Sequence, residues 1–340
     1  MFDILELQRK LTAAALPSGF ETPQAKLLAE LAAPYVDEVH IDALNNVICH
    51  KKGKGKKLMF AAHLDPIGFM VNYIDEKGYL SFTAIGGHNP ACLINTRVVF
   101  ASGAVGGIAL KPDPDHPNRN SSAIRMTDLY IDIGAKDKKE AERLAPIGSV
   151  AKFCTVPQEI GGGNIMGPYA DDLIACVAQL LALEELKGEK CENDLYFVFT
   201  GQEETGCKGA KVAAEAIRPY FGVACDVTAT GDTPADKKVP MAVALGKGPT
   251  IKIKDGGAIS SPYANEVLRK VAKKAGIKYQ DEVLLYGGTD AGAMLLSGVG
   301  AYSTCVSIPC RNIHSPVEIV NKNDVLEAAR LLAAAARSAL

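Results

Sequence analysis

Apolar residues recur along this chain in two alternating textures. Short, near-continuous runs such as "KLMFAAH", "DLYFVFT", "YFGVACD" and "GAYSTCVSIP" have the pattern of strands buried on both faces. Between them, "DDLIACVAQLLALEELK", "KGAKVAAEAI", "SPYANEVLRKVAKKAG" and "NDVLEAARLLAAAARSAL" repeat their apolar positions every three or four residues, as amphipathic or buried helices do. That alternation predicts an α/β fold, with a mostly parallel sheet covered by helices. Two helices precede it: "MFDILELQRKLTAAAL", and a second opened by Ser18 that runs through "ETPQAKLLAELAAPYV". The basic run "KKGKGKK", 51–57, joins two strand-like segments and reads as a solvated hairpin turn.

The texture changes between about Ile67 and Val156. Short β-type pieces ("IGFMVNYI", "YLSFTAI", "TRVVFAS", "VGGIAL", "DLYIDIG", "GSVAKFC") alternate with Gly, Pro and Asp turns, and only "KDKKEAERL" has a helical pattern. We therefore divide the chain into a discontinuous α/β domain, 1–66 and 157–340, and an inserted β-rich domain, 67–156.

Composition narrows the function. Hydrophobic residues make up 48% of the 340 and charged residues 22%, with a formal net charge of −2, so no nucleic-acid or anionic-membrane partner is indicated. The charged, amphipathic N-terminus is read as a helix and not as a signal peptide. Nine cysteines, with no C-x-x-C pair, favour reduced, packed thiols and a cytoplasmic setting.

Ligands of open α/β sheets bind beyond the carboxyl ends of the strands. The metal-capable residues just past a predicted strand are His63, Asp65, Glu203, Glu204, Asp226 and His314, and Asp171 and Asp172 open a helix after "GGGNIMGPYA". Two imidazoles and several carboxylates without a thiolate suit zinc, cobalt or manganese. If one carboxylate bridges, each of two ions receives three protein ligands and shares a water or hydroxide, as in two-metal hydrolases. "TGQEETG", 200–206, then divides its labour: one Glu for metal, the other for protons. Asp232, in the turn "TGDTP", competes with Asp226; "GGTDAGA", 287–293, is either a pocket loop or a tight turn capped by Asp290.

The segments "AAHLDPIGFMV", "YADDLIACVAQLLAL", "GQEETGCKGA", "GVACDVTATGDTP", "LGKGPTIKIKD", "GGTDAGA" and "SIPCRNIHSPVE" together resemble the tetrahedral aminopeptidases, nearly end to end. That family of two-metal, zinc- or cobalt-dependent peptidases includes glutamyl aminopeptidases and some members once labelled endoglucanases. The resemblance implies that His63 and Asp226 bind the first ion and Glu204 and His314 the second, with Asp171 bridging. It further implies Glu203 as general base and acid, Asp65 as the residue orienting His63, short peptides with a free N-terminus as substrates, and the insertion as the dimerisation domain of a twelve-subunit shell. Leu173, Pro66, Cys310 and Asn312 depart from the family pattern. Two other readings are a two-metal hydrolase of non-peptide amides or polysaccharide, and a non-catalytic self-assembling scaffold.

Overall fold

A computed structural model describes residues 2–113, 124–234 and 241–338. Helices α1 (Ile4–Ala14) and α2 (Thr22–Ala32) lead into strands β1 (Glu38–Ile41), β2 (Val47–Lys51) and β3 (Lys57–His63). Six short strands follow: β4 (Gly68–Ile74), β5 (Leu80–Ile85), β6 (Arg97–Phe100), β7 (Val105–Leu110), β8 (Leu129–Asp132) and β9 (Val150–Phe153), with helix α3 (Lys138–Leu144) before the last. The chain continues through β10 (Gln158–Ile160), β11 (Asn164–Gly167), α4 (Ala170–Glu185), β12 (Asp194–Thr200), α5 (Lys208–Ile217) and β13 (Phe221–Ala229). It ends with β14 (Thr250–Lys254), α6 (Pro262–Ala275), β15 (Gln280–Val283), α7 (Asp290–Leu295), β16 (Tyr302–Arg311), β17 (Glu318–Asn321) and α8 (Lys322–Ala336).

The result is a mixed α/β fold. One sheet of eleven strands runs β1-β2-β12-β3-β13-β16-β17-β11-β10, with β14 and β15 branching from β16. The sheet is less parallel than the alternation predicts. Its centre, β12-β3-β13-β16, is parallel, whereas β1-β2, β2-β12, β16-β17, β17-β11, β11-β10 and β14-β16 pair antiparallel. Helical crossovers build the centre; of the antiparallel pairs, β1-β2, β10-β11 and β16-β17 are joined by short turns, and the others bring together strands distant in sequence.

Helix α4 is buried along nearly its whole length, which is why its sequence is apolar all round; it lies between the sheet and α8 and α1. Helices α5 and α7 cover the opposite face, where Ala213, Ala214, Ile217 and Met294 pack on Met59, Ala61, Val198 and Ala224. Helix α6 is bounded as its sequence announces, by the Ser261 cap, Pro262 in the first turn and Gly276 at φ +67°.

Strands β4–β9 close into a barrel, β4-β5-β8-β7-β6-β9. Residues 114–123 of the segment 67–156 lie outside the described residues. The barrel is tied to the main layer by β9: Lys152 Nζ donates to the carbonyls of Thr12 and Ala13 at the end of α1, and Phe153 N–H donates to the buried Tyr169 hydroxyl at 2.6 Å.

Two local readings change. The second helix begins at Thr22, with Pro23 in its first turn; Ser18 does not cap it, but lies with its hydroxyl 3.2 Å from that of Thr205. The run 51–57 is not a hairpin, because β12 lies between β2 and β3. The loop crosses the start of β12 so closely that a Cβ on Gly53 would stand 2.0 Å from the Asn193 carbonyl oxygen.

Candidate metal centre

His63 is the last residue of β3, and the turn after the neighbouring β12 carries Glu203 and Glu204. Asp226 lies on β13, Asp171 and Asp172 open α4, and His314 sits in the turn between β16 and β17 at φ +63°. Six of these seven residues line one cavity of about 560 Å³: His63, Asp171, Glu203, Glu204, Asp226 and His314. Asp172 is fully buried behind them.

Asp171 stands between the two imidazoles. Its Oδ1 is 3.0 Å from His63 Nε2, and its Oδ2 is 3.2 Å from His314 Nε2. Glu204 Oε1 also approaches His314 Nε2, at 3.2 Å, while Glu203 Oε2 is 4.0 Å from His63 Nε2. Ligand atoms of His63, Asp171 and Glu204 lie within 4.8 Å of one another, as do those of His63, Asp172 and Asp226.

The main chain beneath the cavity fixes these directions. His63 Nδ1 lies 2.9 Å from the Asp65 carbonyl oxygen, which can only accept, so Nδ1 donates to it and Nε2 is the nitrogen that faces the cavity. The Asp65 carboxylate, 3.9 Å from Nδ1, accepts instead from the N–H groups of Glu203 at 2.9 Å and Glu204 at 3.2 Å. Asp65 thus holds the imidazole through its backbone and both glutamates through its side chain. Beside Leu173, which is wholly in the core, Asp172 Oδ2 accepts from the His63 N–H at 3.2 Å.

The structure brings three further groups to the site, of which only Asp290 is marked by the sequence. Glu318, 1% exposed, accepts from the N–H of Asp171 and of His314, both at 2.9 Å, and so locks the two together across the sheet. It stands within "SIPCRNIHSPVE", but nothing about an isolated Glu at the start of a short strand separates it from a surface residue. Asp290 does not cap α7; it is buried, accepts from Thr200 Oγ1 at 2.5 Å and clusters with Glu203 and Cys207. The third group is Gly86–Gly87, which follows β5 in the barrel segment. A Cβ on Gly86 would come within 3.0 Å of Glu204 Oε2, and one on Gly87 within 3.1 Å of His314 Nδ1. Asp232 is drawn off by Arg311, at 2.6 Å.

Electrostatics make this a place for cations. Burial raises the pKa of Glu203 well above the usual carboxylate range; His63 opposes the shift, and Asp226, Asp290 and Glu204 add to it. Burial likewise raises Glu204. For Asp171 burial is outweighed by hydrogen bonds from His314 and His63, which hold its carboxyl below the usual range. No Lys or Arg among the described residues lines the cavity. Asp172 Oδ1 and Glu204 Oε1 are buried without a hydrogen bond. Five carboxylates and two imidazoles with orphaned oxygens fit divalent ions, since such a cluster is otherwise unfavourable to bury.

A profile of the M42 glutamyl aminopeptidase family matches residues 45–331. The chain belongs to this family. A lysyl aminopeptidase of Pyrococcus furiosus is 37% identical over 334 residues, 94% of this chain and 93% of that one. The aminopeptidase APDkam598 of Desulfurococcus kamchatkensis superposes with a TM-score of 0.94 at 39% identity, over 99% of this chain and 95% of that one. The TET1 peptidase of Pyrococcus horikoshii, which can assemble into a tetrahedron or a large octahedral shell, superposes at 0.88 with 31% identity, over 99% and 100%. As a member of the M42 family the chain is a metal-dependent aminopeptidase, a peptide hydrolase.

Proposed function

We propose that this M42 enzyme removes N-terminal residues from short peptides at a site for two divalent ions. His63, Asp171 and Asp226 would hold one ion, and Asp171, Glu204 and His314 the other. The observation that carries this reading is the position of Asp171, whose two oxygens face the two imidazoles at 3.0 and 3.2 Å. The nitrogen and oxygen donor set suits zinc, cobalt or manganese. When bound, such ions polarise the scissile carbonyl and acidify the attacking water.

The protein's own part centres on Glu203. Its Oε1 accepts from the Cys207 thiol at 3.2 Å, which leaves Oε2 turned toward His63 and the cavity. From there it takes the proton of the attacking water and passes it to the departing amide nitrogen. A carboxylate with a raised pKa is suited to both halves of that transfer. The surplus of carboxylates favours a substrate that arrives with a terminal ammonium, so the enzyme works from the free amino end.

Several further features belong to the same proposal. The segment 67–156 acts as an inserted domain that makes a two-fold contact between subunits, and the assembly is a twelve-subunit tetrahedral shell. The reading is supported by the closed barrel and by likeness to the TET1 peptidase. No helix among the described residues is long and apolar enough to cross a membrane. The buried thiols of Cys49, Cys176, Cys225, Cys305 and Cys310 support a cytoplasmic setting.

The test compares a peptide with its N-acetylated form, in excess chelator and again after zinc or cobalt is restored. Cleavage of the free-amine peptide alone, lost in chelator and regained at about two ions per subunit, is expected. Equal cleavage of the acetylated peptide would remove the aminopeptidase reading. Full activity at one ion per subunit would remove the paired-ion arrangement.

A further inference from the structure

We infer that the cavity selects an apolar N-terminal side chain, such as that of leucine or methionine, and rejects acidic and basic ones. This rests on the aminopeptidase reading above and adds the class of residue that is removed.

The cavity, at about 560 Å³, is well within the range of about 300–1,000 Å³ usual for a small-ligand site. Its charged lining residues are His63, Asp171, Glu203, Glu204, Asp226 and His314, and the reaction uses all of them. The rest of the lining is mostly apolar, with Val227, Ala229, Leu284, Tyr286 and Ile313 among glycines; its polar groups are the Cys207 thiol, which donates to Glu203, and the hydroxyls of Thr228 and Tyr286. Among the described residues it carries no further charged side chain.

Two cations come near from outside this wall, and both are committed. Lys252, 1% exposed on β14, has its Nζ 3.0 Å from Glu282 Oε1. Glu282 in turn accepts from Thr228 Oγ1 at 2.6 Å and from Thr250 Oγ1. Thr228 lines the cavity, yet its hydroxyl is spent on Glu282 behind the wall. Arg311, three residues before His314, forms a fork on Asp232, with Nε 3.1 Å from Oδ1 and Nη2 2.6 Å from Oδ2. Neither cation is free to receive the carboxylate of an N-terminal Glu or Asp.

The same accounting rejects Lys and Arg. Glu282 is neutralised by Lys252 and Asp232 by Arg311; Asp290, whose Oδ2 accepts from Thr200 while its Oδ1 has no hydrogen bond, is only 2% exposed and is not part of the cavity lining. A charged side chain on the substrate would lose water beside a largely apolar lining and find no opposite charge free to pair with it, an unfavourable exchange. An apolar side chain loses nothing by the same move and adds buried area. The rim is apolar as well: Leu285 is 50% and Tyr286 73% exposed. A long, flexible side chain therefore meets mostly apolar surface along this wall.

Recognition of this kind separates apolar from charged substrates by roughly 10²-fold or more in kcat/KM. The experiment uses the full-length, zinc- or cobalt-loaded enzyme and anilides of Leu, Met, Glu and Lys, with calorimetric titration of free L-leucine, L-glutamate and L-lysine in parallel. Leu and Met substrates are expected to lead, and leucine to bind more tightly than either charged amino acid. Glu or Lys substrates cleaved as well as Leu would overturn the inference while leaving the aminopeptidase reading in place. Cleavage of no free-amine substrate would overturn that reading, and the calorimetry would still decide the pocket: a leucine preference supports it, and equal or tighter glutamate or lysine binding overturns it. Leu284→Arg places a cation on the apolar wall and should raise the Glu-to-Leu ratio of kcat/KM at least roughly tenfold. Tyr286→Lys, on the exposed rim, repeats the test should Leu284→Arg fail to fold. A ratio unmoved in a folded variant would mean that the side chain binds elsewhere.

Discussion

Glu203 and Glu204 are consecutive, share one anchor and diverge. Their N–H groups both donate to the Asp65 carboxylate, after which one side chain meets Cys207 and His63 and the other meets His314. Neighbouring residues point apart, so a single turn can serve two chemistries. Glu203→Gln keeps the shape and the metal-facing neighbours, so both ions should stay bound while turnover falls by roughly 10²–10⁴. Glu204→Gln should instead lower metal content. Metal analysis beside kinetics separates the two, and loss of metal in the Glu203 variant would reverse the assignment. The residue scale also shows the limits of the sequence. Glu203 and Glu204 stood out because two like charges follow an apolar strand, whereas Glu318 became visible only once β17 brought it beneath Asp171 and His314.

At the scale of elements, helices and central strands were legible because their burial is written in their own residues. The paths between them were not. Two apolar runs joined by "KKGKGKK" look like a hairpin, but β12, from more than a hundred residues later, enters between them. Glycine permits this crossing. Gly53 lies where a Cβ would meet the Asn193 carbonyl at 2.0 Å, while Gly107 on β7 has nothing within 4 Å and an ordinary φ. Gly53→Ala should therefore cost about 1–3 kcal/mol, as overpacking does. Gly107→Ala should be neutral or stabilising by about 0.4–1 kcal/mol, because it narrows only the unfolded ensemble. Denaturant midpoints check both. A Gly53→Ala protein as stable as its parent would mean that the crossing is loose.

For the whole molecule the prediction concerns assembly. The barrel joins the main layer through Lys152 and Phe153 on β9, close to the Tyr169 that precedes Asp171. A barrel placed this way can meet a second copy without disturbing the sheet, and closed shells are built from repeated symmetric contacts. The two-fold contact should bury more than roughly 1,000 Å², the area a stable interface needs. Mass measurement in solution should find twelve subunits, falling to dimers or monomers when charges are introduced on the barrel surface. A fully active monomer at every concentration would sink the idea.

The sequence by itself determined the long helices, the central strands and the fold class, since periodicity and burial are local properties of each segment. It also determined which residue types could bind metal, since donor chemistry belongs to the side chain. Tertiary structure alone decided three matters: that the sheet is parallel at its centre and in the β14-β15 branch but antiparallel elsewhere, that Asp65 grips the glutamates' main chain, and that Gly86 and Gly87 of the barrel segment stand where a side chain would crowd Glu204 and His314. Each depends on a meeting between distant segments. A glycine that leaves room for a metal ligand has the same letter as a glycine that leaves room for nothing, and only the neighbour distinguishes them.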